Sequence, residues 1–218
     1  QQVRDFLERH LRGFTVKNLA LIDSDSDLNL FSLRTQSDES AFKAVVNIRR
    51  INDIKYVNKF FESANASLEQ GGLFLGCVKT SSNRKRRILE KYIFPLNYLR
   101  YFFHFVFKRV IPKLPILKKV YFFLTKGRDR SISEMEAYGR LYSCGFELVE
   151  SVEIGNLLWF VSTKVKEPEF NTHATYGPVI RPKRIGKGGE LFNVYKLRTM
   201  HPYSEYLQSY INSKYGLQ

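Results

Sequence analysis

At 218 residues the chain has room for one large domain, or one domain plus part of another, and its 44% hydrophobic share is enough to build a core. Its 35 Lys and Arg against 21 Asp and Glu leave a formal charge of +14 and a pI near 9.8, which favours phosphates, anionic lipid or nucleic acid as partners. No stretch of about 18 apolar residues occurs, which excludes a simple membrane-spanning helix. The two cysteines, Cys77 and Cys144, lie in apolar segments without metal-like spacing. They read as buried free thiols in a reducing compartment.

Residues 2–12 read as a short charged helix rather than a signal peptide. The missing initiator Met suggests a fragment or a trimmed start. Asn18 to Asp23 is a strand candidate, and the acidic turn Asp23-Ser-Asp-Ser-Asp27 follows it. A calcium loop counted from Asp23 needs Gly and Glu where Leu28 and Arg34 stand, so calcium is not expected. Residues 29–34 read as a further strand. Ala44 to Ile48 reads as a buried strand. Asn52 or Asp53 can then cap a helix through Ser67, with Ile54, Val57, Phe60 and Phe61 on one face. Gly71-Gly72 is expected to break that helix before a strand over Leu73 to Val78, a βαβ pattern that implies a parallel sheet.

Residues 83–125 combine many Lys, Arg, Phe and Tyr with almost no acid. Pro95 should end or kink a helix there. Beyond it, Asn97, Arg100, His104 and Lys108 recur at helical spacing as one narrow polar stripe, and aromatic and aliphatic residues fill the rest of the circumference. Three readings stand: a cap over the sheet, a helix lying in a membrane headgroup layer, and RNA binding through stacked aromatics, the last being the least favoured. In the membrane reading Phe102, Phe103 and Phe107 enter the lipid, and Lys108, Arg109, Lys118 and Lys119 meet an anionic membrane surface. No second His or carboxylate stands at ligand spacing from His104, so no metal site is expected.

Ser131 or Ser133 can cap a helix through Tyr142 that ends at Gly145. Two strands, Phe146 to Ile154 and Leu157 to Val165, then meet at the hairpin signal Gly155-Asn156. Residues 167–176 read as a linker. The order from Ala44 onward, with Gly71-Gly72 before a strand, Gly145-Phe146 and a terminal antiparallel hairpin, resembles the second half of class I methyltransferase folds. That resemblance implies an α/β, Rossmann-like domain over 1–166, with the aromatic–basic stretch as an insertion. The family binds S-adenosylmethionine through a glycine loop after its first strand. Residues 1–43 hold one glycine, Gly13, so S-adenosylmethionine is not expected to bind, and a methyltransferase with a different cofactor pocket stands as an alternative function, beside a noncatalytic membrane or nucleic-acid adaptor.

Residues 177–218 open on Gly177-Pro178-Val179. Two β-like runs there flank the basic, glycine-rich turn Ile185-Gly-Lys-Gly-Gly-Glu190, and the second run ends in Tyr195-Lys-Leu-Arg-Thr-Met200. On Arg184, Gly186, Gly189, Phe192, Tyr195, Lys196, Arg198, Thr199 and Met200 this segment resembles the entry of bacterial sugar transferases, the polyprenyl-phosphate phosphoglycosyl transferases. The resemblance implies transfer of a sugar-1-phosphate from a nucleotide sugar to polyprenyl phosphate at the cytoplasmic face of a bacterial inner membrane. It places substrate phosphate on Arg184, Gly186, Lys187, Gly189, Lys196, Arg198 and Thr199. The family's catalytic Asp-Glu pair has no counterpart here, so the resemblance assigns no catalytic residue to this chain and leaves Mg²⁺ to the full-length enzyme. Pro202 to Ile211 reads as a short helix with Tyr203, Tyr206, Leu207, Tyr210 and Ile211 on one face. It is expected to pack poorly for want of its own domain core.

Overall fold

The computed structural model describes residues 1–23, 41–114, 116–170 and 179–216. The readings at Asp25 to Asp27, at 29–34, at 171–176 and at Gly177-Pro178 lie outside the described residues. The expected α/β architecture holds. A mixed sheet of five strands runs β1 (Leu19–Ile22), β2 (Phe42–Arg50), β3 (Leu68–Val78), β5 (Leu157–Lys164), β4 (Phe146–Ile154) in space. β1, β2 and β3 are mutually parallel, and β5 is antiparallel to both β3 and β4.

Parallel strands need cover on both faces, and β2 shows it: Ala44, Val45 and Val46 are all buried. On one face α2 (Val57–Ser67) and α6 (Glu134–Ser143) enclose Phe60, Phe61, Phe74, Phe146 and Phe160. On the other, Phe6 of α1 (Gln2–Leu11) packs against Val46, Leu75, Cys77, Trp159 and Val161. Ile54, Val57, Phe60 and Phe61 are fully buried, as the spacing predicts.

Two local expectations fail for physical reasons. Asn52 and Asp53 sit in a 3-10 turn (Ile51–Asp53) and do not cap α2. The Asn52 amide instead ties three chain segments together. It donates to the carbonyls of Lys79 (2.9 Å) and Arg130 (2.7 Å) and accepts from the Lys79 N–H (2.6 Å). Gly71-Gly72 does not break the helix either, because α2 ends at Ser67 and both glycines lie within β3. The last carbonyls of that segment are met by a buried cation: Lys164 Nζ donates to Asn65 O (2.9 Å) and Leu68 O (3.2 Å).

Ser133 caps α6, its Oγ accepting the Glu136 N–H at 3.2 Å. Gly145 ends it with φ +83°, where a side chain would also strike the Lys166 carbonyl oxygen. Between β3 and α6 come α3 (Ser81–Lys91), α4 (Leu96–Phe105), a π turn (Val106–Val110), a 3-10 turn (Ile111–Lys113) and α5 (Leu117–Thr125).

The C-terminal segment forms an interrupted antiparallel ladder. β6 (Val179–Ile180) pairs with β9 (Lys196–Leu197), and β7 (Lys183–Ile185) pairs with β8 (Leu191–Asn193). The tail corrects an expectation. Tyr203 and Leu207 are buried, and Leu207 joins the core beneath α6, with Tyr210 and Ile211 of α7 (Gln208–Tyr215) against it. Gly139 makes this approach possible, since a Cβ there would strike the Tyr203 carbonyl oxygen and stand 2.8 Å from its Cβ. The tail finds its core in the first domain.

Candidate functional site

Open α/β sheets hold ligands outside the carboxyl ends of their strands. Here β2 ends in Arg49-Arg50 and β3 is followed by Lys79-Thr80. Two clefts open beside these ends. One, about 780 Å³, lies between α3, α4 and the loop before α6. It is lined by Lys79, Arg84, Arg87, Lys91, Arg100, His104 and one acid, Asp129. The second, about 750 Å³, lies between the start of α2, the π turn and α5. Lys55, Lys59, Lys108, Arg109, Lys113, Lys118, Lys119, Arg130 and Arg140 line it, with Glu136 as its acid.

Both acids are already committed. Asp129 takes two bonds from Arg84, one of them 3.0 Å, and an ion pair from Lys108 at 3.1 Å, while its N–H donates to Asp53 Oδ1 at 3.0 Å. Burial favours the neutral carboxyl of Asp129, but Arg84 and Lys108 outweigh it and hold its pKa well below the usual carboxylate range. Glu136, buried in the same way, is held ionised by Arg140 at 2.9 Å. Arg140 also donates to Asn58 Oδ1 (2.6 Å) and lies 4.7 Å from the Tyr203 ring centre.

The remaining groups feel an excess of positive charge. Burial, then Arg84, Arg87 and Arg50, pull the Lys79 ammonium below its ordinary pKa, with Asp129 opposing. Lys113 is lowered by burial, then Arg109 and Arg198, against Glu136. His104 and His201 are lowered as well, chiefly by burial and then by the nearby cations. At His201 the ring Nδ1 accepts from Arg109 (3.1 Å) and lies 3.2 Å from Ser133 Oγ. Buried cations that disfavour one another's charge are stabilised by an incoming anion. His104 lies on the wall of the first cleft.

The polar stripe of residues 97–108 is buried at Asn97, half-buried at His104 and Lys108, and exposed at Arg100. Asn97 is buried and donates to Leu89 O at 3.2 Å, Arg100 lies 4.8 Å from the Tyr92 ring centre, and Lys108 reaches Asp129. Of the residues expected at a membrane, Phe102, Phe103, Phe107, Lys118 and Lys119 stand at the surface. Lys108 and Arg109 are half-buried, and together with the exposed Lys118 and Lys119 they border the second cleft. Phe102 and Phe103 are 59% and 63% exposed, whereas Tyr121 of the same stretch is buried.

The residues expected to hold substrate phosphate do not form one cluster. Arg184, Lys187 and Lys196 are exposed along the two ladders, and Gly186 and Gly189 form the turn between β7 and β8. Arg198 and Thr199 instead line a smaller hollow with Arg109, Lys113 and His201. Sequence reasoning missed Arg84, Asp129, Glu136 and Arg140. The Arg84–Asp129 pair spans 45 residues and leaves no local pattern. The Glu136–Arg140 pair, at i and i+4 on a helix, carried a legible signal.

No family model matches this chain, and no curated protein matches it. Solved structures do align with it. A complex of the Haloferax volcanii Trm112 methyltransferase activator with a methyltransferase matches 75% of this chain and 78% of its own, at 11% identity and a TM-score of 0.40. PigF with SAH matches at 10% identity and TM-score 0.37, over 75% of this chain and 47% of its own. The T. thermophilus 16S rRNA N2 G1207 methyltransferase RsmC, with AdoMet and guanosine, matches at 13% identity and TM-score 0.33, over 99% and 53%. The chain thus spans about half the length of the last two. The likeness is one of fold. The sheet is Rossmann-like and resembles that of methyltransferases.

These findings correct the phosphoglycosyl transferase reading of residues 177–218. Two of the three aligned structures are described as methyltransferases, and the third was solved with SAH. The Mg²⁺ expectation falls with that reading. The expected exclusion of S-adenosylmethionine is corrected too, since two of the aligned proteins were solved with AdoMet or SAH. The residues present fit such a cofactor in part. At the carboxyl ends of β1 and β2, Asp23 is an exposed acid able to accept from a ribose hydroxyl, and Leu21 and Ile48 are exposed apolar side chains that an adenine can cover. Residues 14–70 hold no glycine, so side chains rather than a glycine turn would hold it. No group of His, Cys, Asp or Glu suited to a metal ion occurs among the described residues.

Proposed function

We propose that this chain is a methyltransferase-type domain that draws an anionic substrate into the cationic clefts beside β2 and β3. S-adenosylmethionine, over the ends of β1 and β2, would supply the methyl group. One observation carries the reading: the strand order β1-β2-β3-β5-β4, with antiparallel β5 inserted between β3 and β4. That arrangement ends a parallel sheet in a reversed hairpin, and sheets of this kind hold ligands outside the carboxyl ends of their parallel strands. Arg87, Lys91 and Arg100 would meet the substrate's negative charge, Arg84 would be held in place by Asp129, and His104 would accept the proton released on methylation.

Calorimetry with S-adenosylhomocysteine tests the reading. Saturable binding is expected, weakened by Asp23→Ala with unchanged folding. Absence of both heat and thermal shift at millimolar ligand would refute methyl transfer by this domain.

A further inference from the structure

Residues 81–126 contain twelve Lys and Arg and one acid, Glu90, a net +11 of the chain's +14. The same stretch turns its apolar faces outward. Asn97 of α4 is buried and His104 half-buried, whereas Tyr98, Leu99, Phe102 and Phe103 are exposed, with Leu99 and Phe103 at the rim of the first cleft. In α5 the buried residue is Tyr121, whose ring meets Phe107 at 5.5 Å between centroids. Val120, Phe123 and Leu124 point away, Phe123 being 82% exposed. Exposed apolar side chains grouped along a helix face mark an interaction surface.

We propose that the outer faces of α4 and α5 dock this chain on an anionic lipid bilayer surface. Charge selects this occupant. Lys118 and Lys119 are exposed at the rim of the second cleft, carry no ion pair among the described residues, and sit on the same short helix as the outward Phe123. An aromatic face bordered by cations matches a layer that is apolar below and negatively charged at its headgroups. The depth is that of a surface helix, because no helix among the described residues is long and apolar enough to cross a membrane. The proposal does not rest on methyl transfer.

Flotation with phosphatidylcholine vesicles, with and without phosphatidylglycerol, tests it. The chain should float with the anionic vesicles, less so at high salt, and not with neutral ones. Lys118→Ala with Lys119→Ala should lower the partition coefficient about twenty-fivefold, at ~1 kcal/mol for each lysine. Phe102, Phe123 and Leu124 changed together to Ser should abolish flotation with an unchanged melting temperature, since all three are exposed. The proposal is overturned if the wild type ignores anionic vesicles, if it floats equally with neutral ones, or if the Ser variant floats like the wild type. It is also overturned if the Ser variant unfolds, which would put those side chains in a core, or if sedimentation shows the face consumed in a stable dimer that does not bind vesicles.

Discussion

Replacing Gly139 by Ala should destabilise the protein, although the same change in an open helix interior stabilises by about 1 kcal/mol. The new methyl would strike the Tyr203 carbonyl oxygen and lie 2.8 Å from its Cβ. Two backbone segments meet there, so no side chain can swing aside to relieve the contact. The tail must lift from α6. Tyr203 and Leu207, 3% and 1% exposed, then return to water, along with the bond from Asn58 Nδ2 to Tyr203 Oη (2.9 Å). At roughly 1.5–3 kcal/mol for each buried side chain, less the helix gain, the net loss is about 2–5 kcal/mol. For a chain of this size that lowers Tm by about 4–20 °C. Denaturant unfolding of Gly139→Ala, Leu207→Ala and the double variant measures it. Leu207→Ala alone should cost about 2–5 kcal/mol, yet little once Gly139→Ala has freed the tail. A stabilised Gly139→Ala, or full additivity in the double variant, would refute the packing argument.

Asp129→Asn should destabilise by about 1–3 kcal/mol, because it removes charge-assisted bonds to Arg84 and Lys108 at a partly exposed site. The folded pKa of Asp129 is depressed, so its stabilisation is present above the unfolded value of about 3.9 and is lost as pH falls through the lower folded one. The stability gap between wild type and Asp129→Asn should therefore close below about pH 4, and a gap independent of pH would show that the pair has another role. Burial pushes the Cys77 and Cys144 thiols up to about 12, so a maleimide at neutral pH should label neither until denaturant unfolds the chain. Rapid labelling of the native protein would place a thiol at the surface.

The sheet was legible because its signals are local. The apolar run at 44–48, the Gly155-Asn156 turn and the Gly145-Phe146 exit each report their own surroundings. The polar stripe at 97, 100 and 104 was legible as a stripe, but not which side of it faced solvent. Periodicity shows that a helix has two faces, and the contacts of Asn97, Arg100 and Lys108 were set by Leu89, Tyr92 and Asp129, partners remote from any heptad pattern. The cleft was hidden for the same reason, since Arg84 and Asp129 meet only through the fold. The motif at 184–200 shows the opposite hazard: its strong local pattern pointed to a chemistry that the fold comparisons did not bear out.

The buried tail alters what counts as a unit in this chain. The ladder of β6 to β9 leaves the first domain after β5 and comes back to it at Tyr203, so both its ends are tied to the same body. It is a closed excursion, held like the handle of a cup, rather than an appendage free to swing. A protease that cuts within 181–196 should leave two pieces that stay together until denatured, because Leu207 still fills its place beneath α6. A chain ended after Glu169 would instead lose part of the core on which its own sheet rests.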